Sequence, residues 1–595
     1  MQASPRARRC DGKRLLVAAL APALMALSLG ACAAEPPVSL PFVSRAFATN
    51  FSSEPGGGPP IEGGSAAGSY LVGRFAIESG DYAAAAESLD RALAADPENL
   101  DLRRQVFLLR LANGDDERAL AAAASLVEID AGADEPLLLL ALDRVRAGKH
   151  AQARDLLQRV SERGATGLVL PVLDAWAAFG AGDVKGALAK IGGESSEQPL
   201  YLLRRYHRAL MLELSRRPAE AAPLLEGEAG RPGGAPLRIT QSLAQVRLDQ
   251  GNRDGALKVI TDAQAASPQD PQLAALRAAL DNGKRLVPVA DARTGMADAL
   301  VGVAEALLDQ QASAQALLLA RMAEFLAPEM GDTRLLVGRV LLDQGNAAAG
   351  VEALASIPDE SPQSWAGRLL RAGALRELGR TDEAIALLRG MAAERPQRTD
   401  ALVALGDLLR RDERFADAEK AYGEALQRLG TAGAESWRLL YARGMSLERL
   451  QRWDEAEVAL QRALELQPDQ PLVLNYLGYS WVDRGKNLDQ AKAMLHKAVE
   501  LKPDDGYIVD SLGWAYYRLG EFDKAATYLE RAVEIEPGDA VINDHLGDAY
   551  WRVGRVREAR FQWQRALSFK PEPDVASQIQ AKLDRGLPEA EAKRG

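Results

Sequence analysis

Small side chains recur at a fixed interval along most of this 595-residue chain, and the interval restricts what the chain can fold into. From Gly506 onward, Gly513, Ala525 and Ala532 are followed by Pro537; 34 residues later Gly547, Ala559, Ala566 and Pro571 repeat the order. The two preceding units give Gly478, Ala491, Ala498 and Pro503, with one residue inserted near Asn487, and Gly444, Ala456, Ala463 and Pro468. Carried back, the eighth position falls at 73, 107, 141, 175, 209, 244, 304, 338, 372, 406, 444, 478, 513 and 547, and thirteen of these fourteen are Gly or Ala. The exception is Phe107. The twentieth position is Ala in every unit but one, where Gly350 stands. Only small side chains let the two antiparallel helices of a hairpin approach closely. Ten units close on proline, which cannot continue a helix and is tolerated just before the next begins.

The scheme resembles the tetratricopeptide repeat, whose pattern is W-x2-L-G-x2-Y followed by A-x3-F and P. The resemblance implies an all-α superhelical solenoid of about 14 helix hairpins. After Pro268 the register slips: "PQLAALRAALDNGK" holds phase for one helix and Pro288 interrupts it. The expected organisation is therefore two lobes, with six repeats over 66–270, an orphan helix and connector over 271–296, and eight repeats over 297–572. Residues 573–586 can form a capping helix over the exposed face of the final hairpin, as solenoids require, and the chain ends in a tail to 595.

The N-terminus reads differently. Arg6, Arg8, Arg9, Lys13 and Arg14 precede an apolar run from Leu15 to Leu29, the layout of a secretory signal over residues 1–31. The run is shorter than the roughly 20 apolar residues a membrane span needs. Leu29, Gly30, Ala31 and Cys32 resemble the lipobox of bacterial lipoproteins, which implies lipidation of Cys32. A cleaved secretory signal with an incidental cysteine is the alternative. Ala33 after the cysteine, by analogy with enterobacterial lipoproteins, points to the outer membrane. Cys10 leaves with the signal, so no disulfide, zinc-thiolate site or cysteine nucleophile is expected. Residues 32–65, with "EPGGGPPIEGGSAAGS" at 54–69, read as a flexible linker. A coil of about 33 residues has a root-mean-square reach of roughly 30 Å.

Charge and motifs exclude more than they assign. Removing residues 1–31 takes five basic residues and Asp11 from totals of 72 Lys+Arg and 83 Asp+Glu, leaving 67 against 82, a net charge of −15. Nucleic-acid binding depends on basic surface and is not expected. His150, His207, His496 and His545 fall in four different repeats with no cysteine or carboxylate at metal-ligand spacing, and read as surface or groove residues. No H-E-x-x-H, G-x-S-x-G or P-loop motif occurs. The chain is expected not to be an enzyme and to need no cofactor or metal.

Aromatic residues are uneven, with 11 of the 21 Trp and Tyr inside 476–563. Trp481, Tyr516 and Tyr550 occupy the eleventh position, which the repeat uses for packing. By the family's geometry, positions 2, 5, 9 and 12 of each first helix line a groove. They place Tyr479, Tyr507, Trp514, Tyr517 and Trp551 there, with Asp510, Asp544 and Asp548 on the same face to set charge selectivity. Trp and Tyr dominate binding energy at interfaces.

Residues 474–537, beginning "LNYLGYSWVDRGKNLDQAKAMLHKAVELKP", are similar to the C-terminal repeats of envelope tetratricopeptide lipoproteins of Gram-negative bacteria. Among these is the adaptor of a periplasmic carboxyl-terminal processing serine protease. That resemblance implies an outer-membrane protein, lipid-anchored and facing the periplasm, that binds the protease and its peptidoglycan hydrolase substrates. A structural scaffold in an exopolysaccharide-export or outer-membrane assembly complex is the alternative.

Overall fold

The computed structural model describes residues 65–588 apart from 193–199, 230–235, 268–269, 287–288, 431–432 and 434–435. The signal, Cys32 and nearly all of the expected linker lie outside the described residues. Thirty helices and no strand occur among the described residues, numbered here α1 to α30 in chain order. They pair as fourteen hairpins, from α1 (Ala66–Glu78) with α2 (Tyr82–Ala95) to α28 (Ala540–Arg552) with α29 (Val556–Ser568). Two helices stand outside the pairing, α13 (Pro271–Asp281) and the last, α30 (Pro573–Arg585).

Every hairpin has a residue in the left-handed region at the end of its first helix, and the hairpin over 471–501 has a second, Asn487, just before its second helix. In ten the residue ending the first helix is glycine, as at Gly80, Gly114 and Gly554; in the other four Arg216, Gln311, Glu413 and Gln451 take the same conformation with φ of 56–61°. Glycine enters this region freely and a side chain does so at a cost. In five hairpins the next residue, Asp81, Asp115, Asp183, Asn252 or Asn346, caps the second helix by accepting a bond from the backbone N–H three residues on.

The eighth position shows why it must be small. A Cβ on Gly513 in α26 (Gly506–Arg518) would come within 2.7 Å of Leu529 in α27 (Phe522–Ile535), and one on Gly547 within 2.5 Å of the Trp563 ring. The facing side chain comes sixteen residues later. At the exception the sizes are reversed, because Phe107 is 1% exposed and the residue sixteen positions on is the fully buried Ala123.

Two compact units divide between Leu336 and Val337, within α16 (Gly331–Asp343), and not at the connector over 271–296. The physical reason lies in α14 (Ala292–Asp309) and α15 (Ser313–Leu326), which pack against helices far earlier in the chain. Gly295 of α14 lies so close to Trp176 of α7 (Gly164–Gly180) that a Cβ would sit 2.4 Å from the ring. From α15, Arg321 Nε donates to the Ala112 carbonyl of α3 (Leu100–Asn113) at 3.0 Å, while the Arg146 guanidinium of α5 (Asp134–Arg146) covers the Phe325 ring at 4.4 Å. In the second unit a continuous apolar core runs from Trp437 to Ile579.

Candidate functional site

The aromatic-rich end of the second unit is built on successive first helices, α24 (Pro471–Asp483), α26 and α28, which adjoin one another. The eleventh-position rings are packing residues: Trp481 is 1% exposed, Tyr516 5% and Tyr550 6%. Trp481 donates to Glu457 at 2.6 Å and Tyr550 to Glu530 at 2.7 Å, so each polar tip is satisfied. Trp563 is likewise buried, with its indole N–H on Asp548 at 2.9 Å.

Three of the eight expected groove residues come together with a fourth, His545, one of the histidines read from the sequence only as surface or groove residues. The rings of Tyr517 and Trp514 stack at 4.6 Å between centroids, and His545 also stacks on the indole at 3.9 Å. Asp510 holds the His545 Nδ1 at 3.0 Å. Burial opposes the imidazolium, but the charge and hydrogen bond of Asp510, with Asp544 and Asp548 behind it, outweigh burial and raise the His545 pKa above its ordinary value. The result is a half-buried aromatic cluster in which the imidazole lies flat on an indole face, an arrangement that becomes more attractive when the imidazole is protonated. Arg552 Nε donates to the Tyr517 hydroxyl at 3.2 Å and ties the cluster to α28.

The remaining expected residues differ in access. Tyr479 is half-buried against the core. Tyr507 is 57% exposed, its hydroxyl 3.4 Å from Asp539. Asp544 and Asp548 do not stand open to a ligand, as an electrostatic selector requires. Lys582 of α30 reaches both, donating to Asp544 at 2.7 and 2.9 Å and to Asp548 at 2.8 Å. Burial works against the Lys582 charge, but the two carboxylates hold its pKa above the ordinary value. Trp551 is covered by the end of the same helix, where a Cβ on Gly586 would meet the indole at 2.1 Å. Arg552 and Arg560 bond the Pro588 and Leu583 carbonyls and complete the clasp. The C-terminal helix therefore covers part of the first-helix face as well as the last hairpin.

The histidine reading needs correction too. His207 is fully buried, not a surface residue, and its Nδ1 accepts from Trp176 Nε1 at 3.1 Å. Asp298 lies 3.8 Å from its Nε2. His496 shares a 2.6 Å hydrogen bond with the Tyr516 hydroxyl. His–Asp pairs thus form across repeats, 35 residues apart for His545 and Asp510, a distance no local motif search covers. The available signal was the period itself, since 35 is one repeat plus one residue. Among the described residues no group of three or more His, Cys, Asp or Glu could hold a metal ion, and no helix is long and apolar enough to cross a membrane.

Tetratricopeptide-repeat family models match residues 71–135, 335–399, 403–471 and 509–539. This chain is a tetratricopeptide-repeat solenoid. The Cut9–Hcn1 hetero-tetramer of the APC/C is similar at 17% identity over 87% of this chain and 95% of that one, with a TM-score of 0.35. A tetratricopeptide protein from Parabacteroides merdae matches at 17% identity over 43% of this chain and 100% of its own, TM-score 0.36. YrrB, described as having an unusual peptide-binding site, matches at 20% identity over 33% of this solenoid and 97% of its own length, TM-score 0.26. No curated protein sequence matches the solenoid. Tetratricopeptide solenoids bind protein partners and are generally non-catalytic scaffolds.

Proposed function

We propose that this solenoid is an adaptor that binds a carboxyl-terminal processing serine protease of the periplasm and delivers peptidoglycan hydrolase substrates to it. The adaptor is tethered to the outer membrane through a lipid on Cys32. The observation that carries the binding site is the stacked Tyr517–Trp514–His545 cluster, a half-buried aromatic surface whose imidazole is held by Asp510. Such a surface suits an extended segment that offers an apolar side chain beside a carboxylate. The N-terminal signal pattern and the similarity of residues 474–537 to envelope lipoproteins support the location and the partner. Proximity then accelerates cleavage, because both partners held on one scaffold meet at a raised effective concentration.

A pull-down from solubilised envelopes tests the partner. Recovery of a PDZ-containing serine protease supports the adaptor, and recovery of a polysaccharide synthase or a secretin supports the export scaffold instead. Trp514→Ala tests the site: binding to the recovered partner is expected to weaken about thirty-fold, a hot-spot loss of roughly 2 kcal/mol, with melting unchanged. Full binding by the variant moves the site elsewhere. Cys32→Ser is expected to leave the protein soluble or uncleaved, and acyl labelling that persists in it overturns the anchor.

A further inference from the structure

Four buried polar atoms of the first unit make no hydrogen bond to a protein group: the Tyr206 hydroxyl, His207 Nε2, Ser242 Oγ and Asp298 Oδ2. Their residues are at most 6% exposed and come from three helices, α9 (Tyr201–Leu214), α11 (Leu237–Asp249) and α14. The register shows that polar residues are not the rule here. At the fifth and sixth positions α5 carries Leu138 and Leu139 and α7 carries Val172 and Leu173, all at most 1% exposed, whereas α9 carries Tyr206 and His207. Burying a polar group costs free energy unless it is hydrogen-bonded, so four of them together require a partner.

The four are close neighbours. His207 Nε2 is 3.8 Å from Asp298 Oδ2, too far for a direct hydrogen bond and near enough for a single water, about 2.8 Å from each, to touch both. The Tyr206 and His207 rings meet edge to face at 5.2 Å. Asp298 and Ser242 both act on the ionisation of the Tyr206 hydroxyl without completing a bond to it.

We propose that one water molecule is bound here as an internal ligand, accepting from His207 Nε2 and the Tyr206 hydroxyl and donating to Asp298 Oδ2 and Ser242 Oγ. The count of donors and acceptors selects it. Trp176 occupies Nδ1 of His207, so the neutral ring turns its N–H into the site. Burial, with Asp298 adding to it, raises the Tyr206 pKa well above the ordinary value, and the hydroxyl is a second donor. Asp298 Oδ1 faces Arg238 at 3.3 Å, which leaves Oδ2 as an acceptor, and a serine hydroxyl accepts as readily as it donates. A cation is opposed by the Arg238 guanidinium and offers the two donors nothing; an anion is opposed by Asp298. Water presents two lone pairs and two protons and matches all four groups. The site ties α14 to α9 and α11 through a shared molecule in place of a direct His207–Asp298 bond.

A crystal structure of the full chain tests the assignment without any substitution. One peak of density is expected about 2.7–3.2 Å from all four atoms. A direct His207–Asp298 bond, no ordered density, or contacts as short as about 2.0–2.4 Å, which mark a metal ion, overturn the proposal. In solution at pH 8, with isotope-labelled histidine, the His207 Nε2 proton is expected to show a cross-peak to a long-lived water. Ser242→Val places methyl groups in the site and should remove that cross-peak, while the Trp176 indole N–H keeps its shift. A cross-peak of equal intensity in the variant, or none in the unaltered protein, overturns the proposal.

Discussion

Each unit contains a buried or half-buried histidine beside an aspartate, and the two imidazoles are shifted in opposite directions. His207 lies among Trp176, Asp298 and Arg238 with no exposed surface, and burial, with Arg238 adding to it, pushes its pKa down to about 3. Asp298 is itself lifted to about 6 by burial, although Arg238 pulls the other way. His545, with 15% of its side chain exposed, touches Asp510 directly and has its pKa raised. A gap of less than an ångström separates the two contacts, 3.8 Å for the first pair and 3.0 Å for the second. What differs is the other neighbour. In the first unit the guanidinium of Arg238, 3.3 Å from Asp298, already neutralises the carboxylate, and the indole N–H on Nδ1 leaves the imidazole proton on Nε2. In the second, among the described residues, no Lys or Arg pairs with Asp510, and His545 is the partner that faces it. Which way a buried His–Asp contact shifts the imidazole depends on what else the aspartate holds.

The comparison can be broken at four places. The largest effect is expected from Asp298→Ala, which leaves the buried Arg238 guanidinium without the carboxylate 3.3 Å from it; the first unit should lose about 3 kcal/mol, read by chemical unfolding. Trp176→Phe follows, at roughly 2 kcal/mol, because it strands the buried Nδ1 of His207 and opens space beside Gly295.

Asp510→Asn should cost about 1.5 kcal/mol at pH 6 and less at pH 8. The sign follows from linkage: the folded pKa of His545 is raised, so its contribution is complete below the unfolded value near 6.5 and is lost as pH rises through the folded value. For His207 the folded pKa is lowered, so stability on its account is full above 6.5 and drains as pH falls toward 3; Asp298 offsets part of this by gaining its proton from about pH 6 downward. Imidazole proton shifts check both, with His545 titrating above 6.5 and His207 silent until near pH 3. The smallest effect is a gain. Gln311→Gly relieves a side chain held at φ 61° and should stabilise the first unit by about 0.5–1 kcal/mol in thermal melting.

These particulars show how far the sequence could be read. The eighth and twentieth positions were visible because helix contact admits only small residues there, and the hairpins follow from them. The turn was equally periodic, Gly at ten of fourteen places, but four side chains at the same φ hid it. Trp514 and Tyr517 could be placed on one face from their register, and Asp510 with them. The closure of Asp544 and Asp548 could not, because Lys582 lies in a helix outside the repeat and obeys no period. Nor could the return of α14 onto α7, which depends on how many repeats precede it and on how each stacks, quantities that accumulate along the array and are marked at no single residue.

That return sets an order of events during synthesis. Trp176 and Leu203, the side chains that Gly295 and Gly302 press against, leave the ribosome more than a hundred residues before α15 is finished. At about 5–20 residues per second, the 150 residues from Trp176 to Leu326 take on the order of 10–30 seconds. For that interval the nascent chain carries an indole, a leucine and an uncompensated His207 on an open surface. The hairpins already made cannot bury them, because the hydrogen bond that locks the closure, Arg321 to Ala112, joins residues 209 apart.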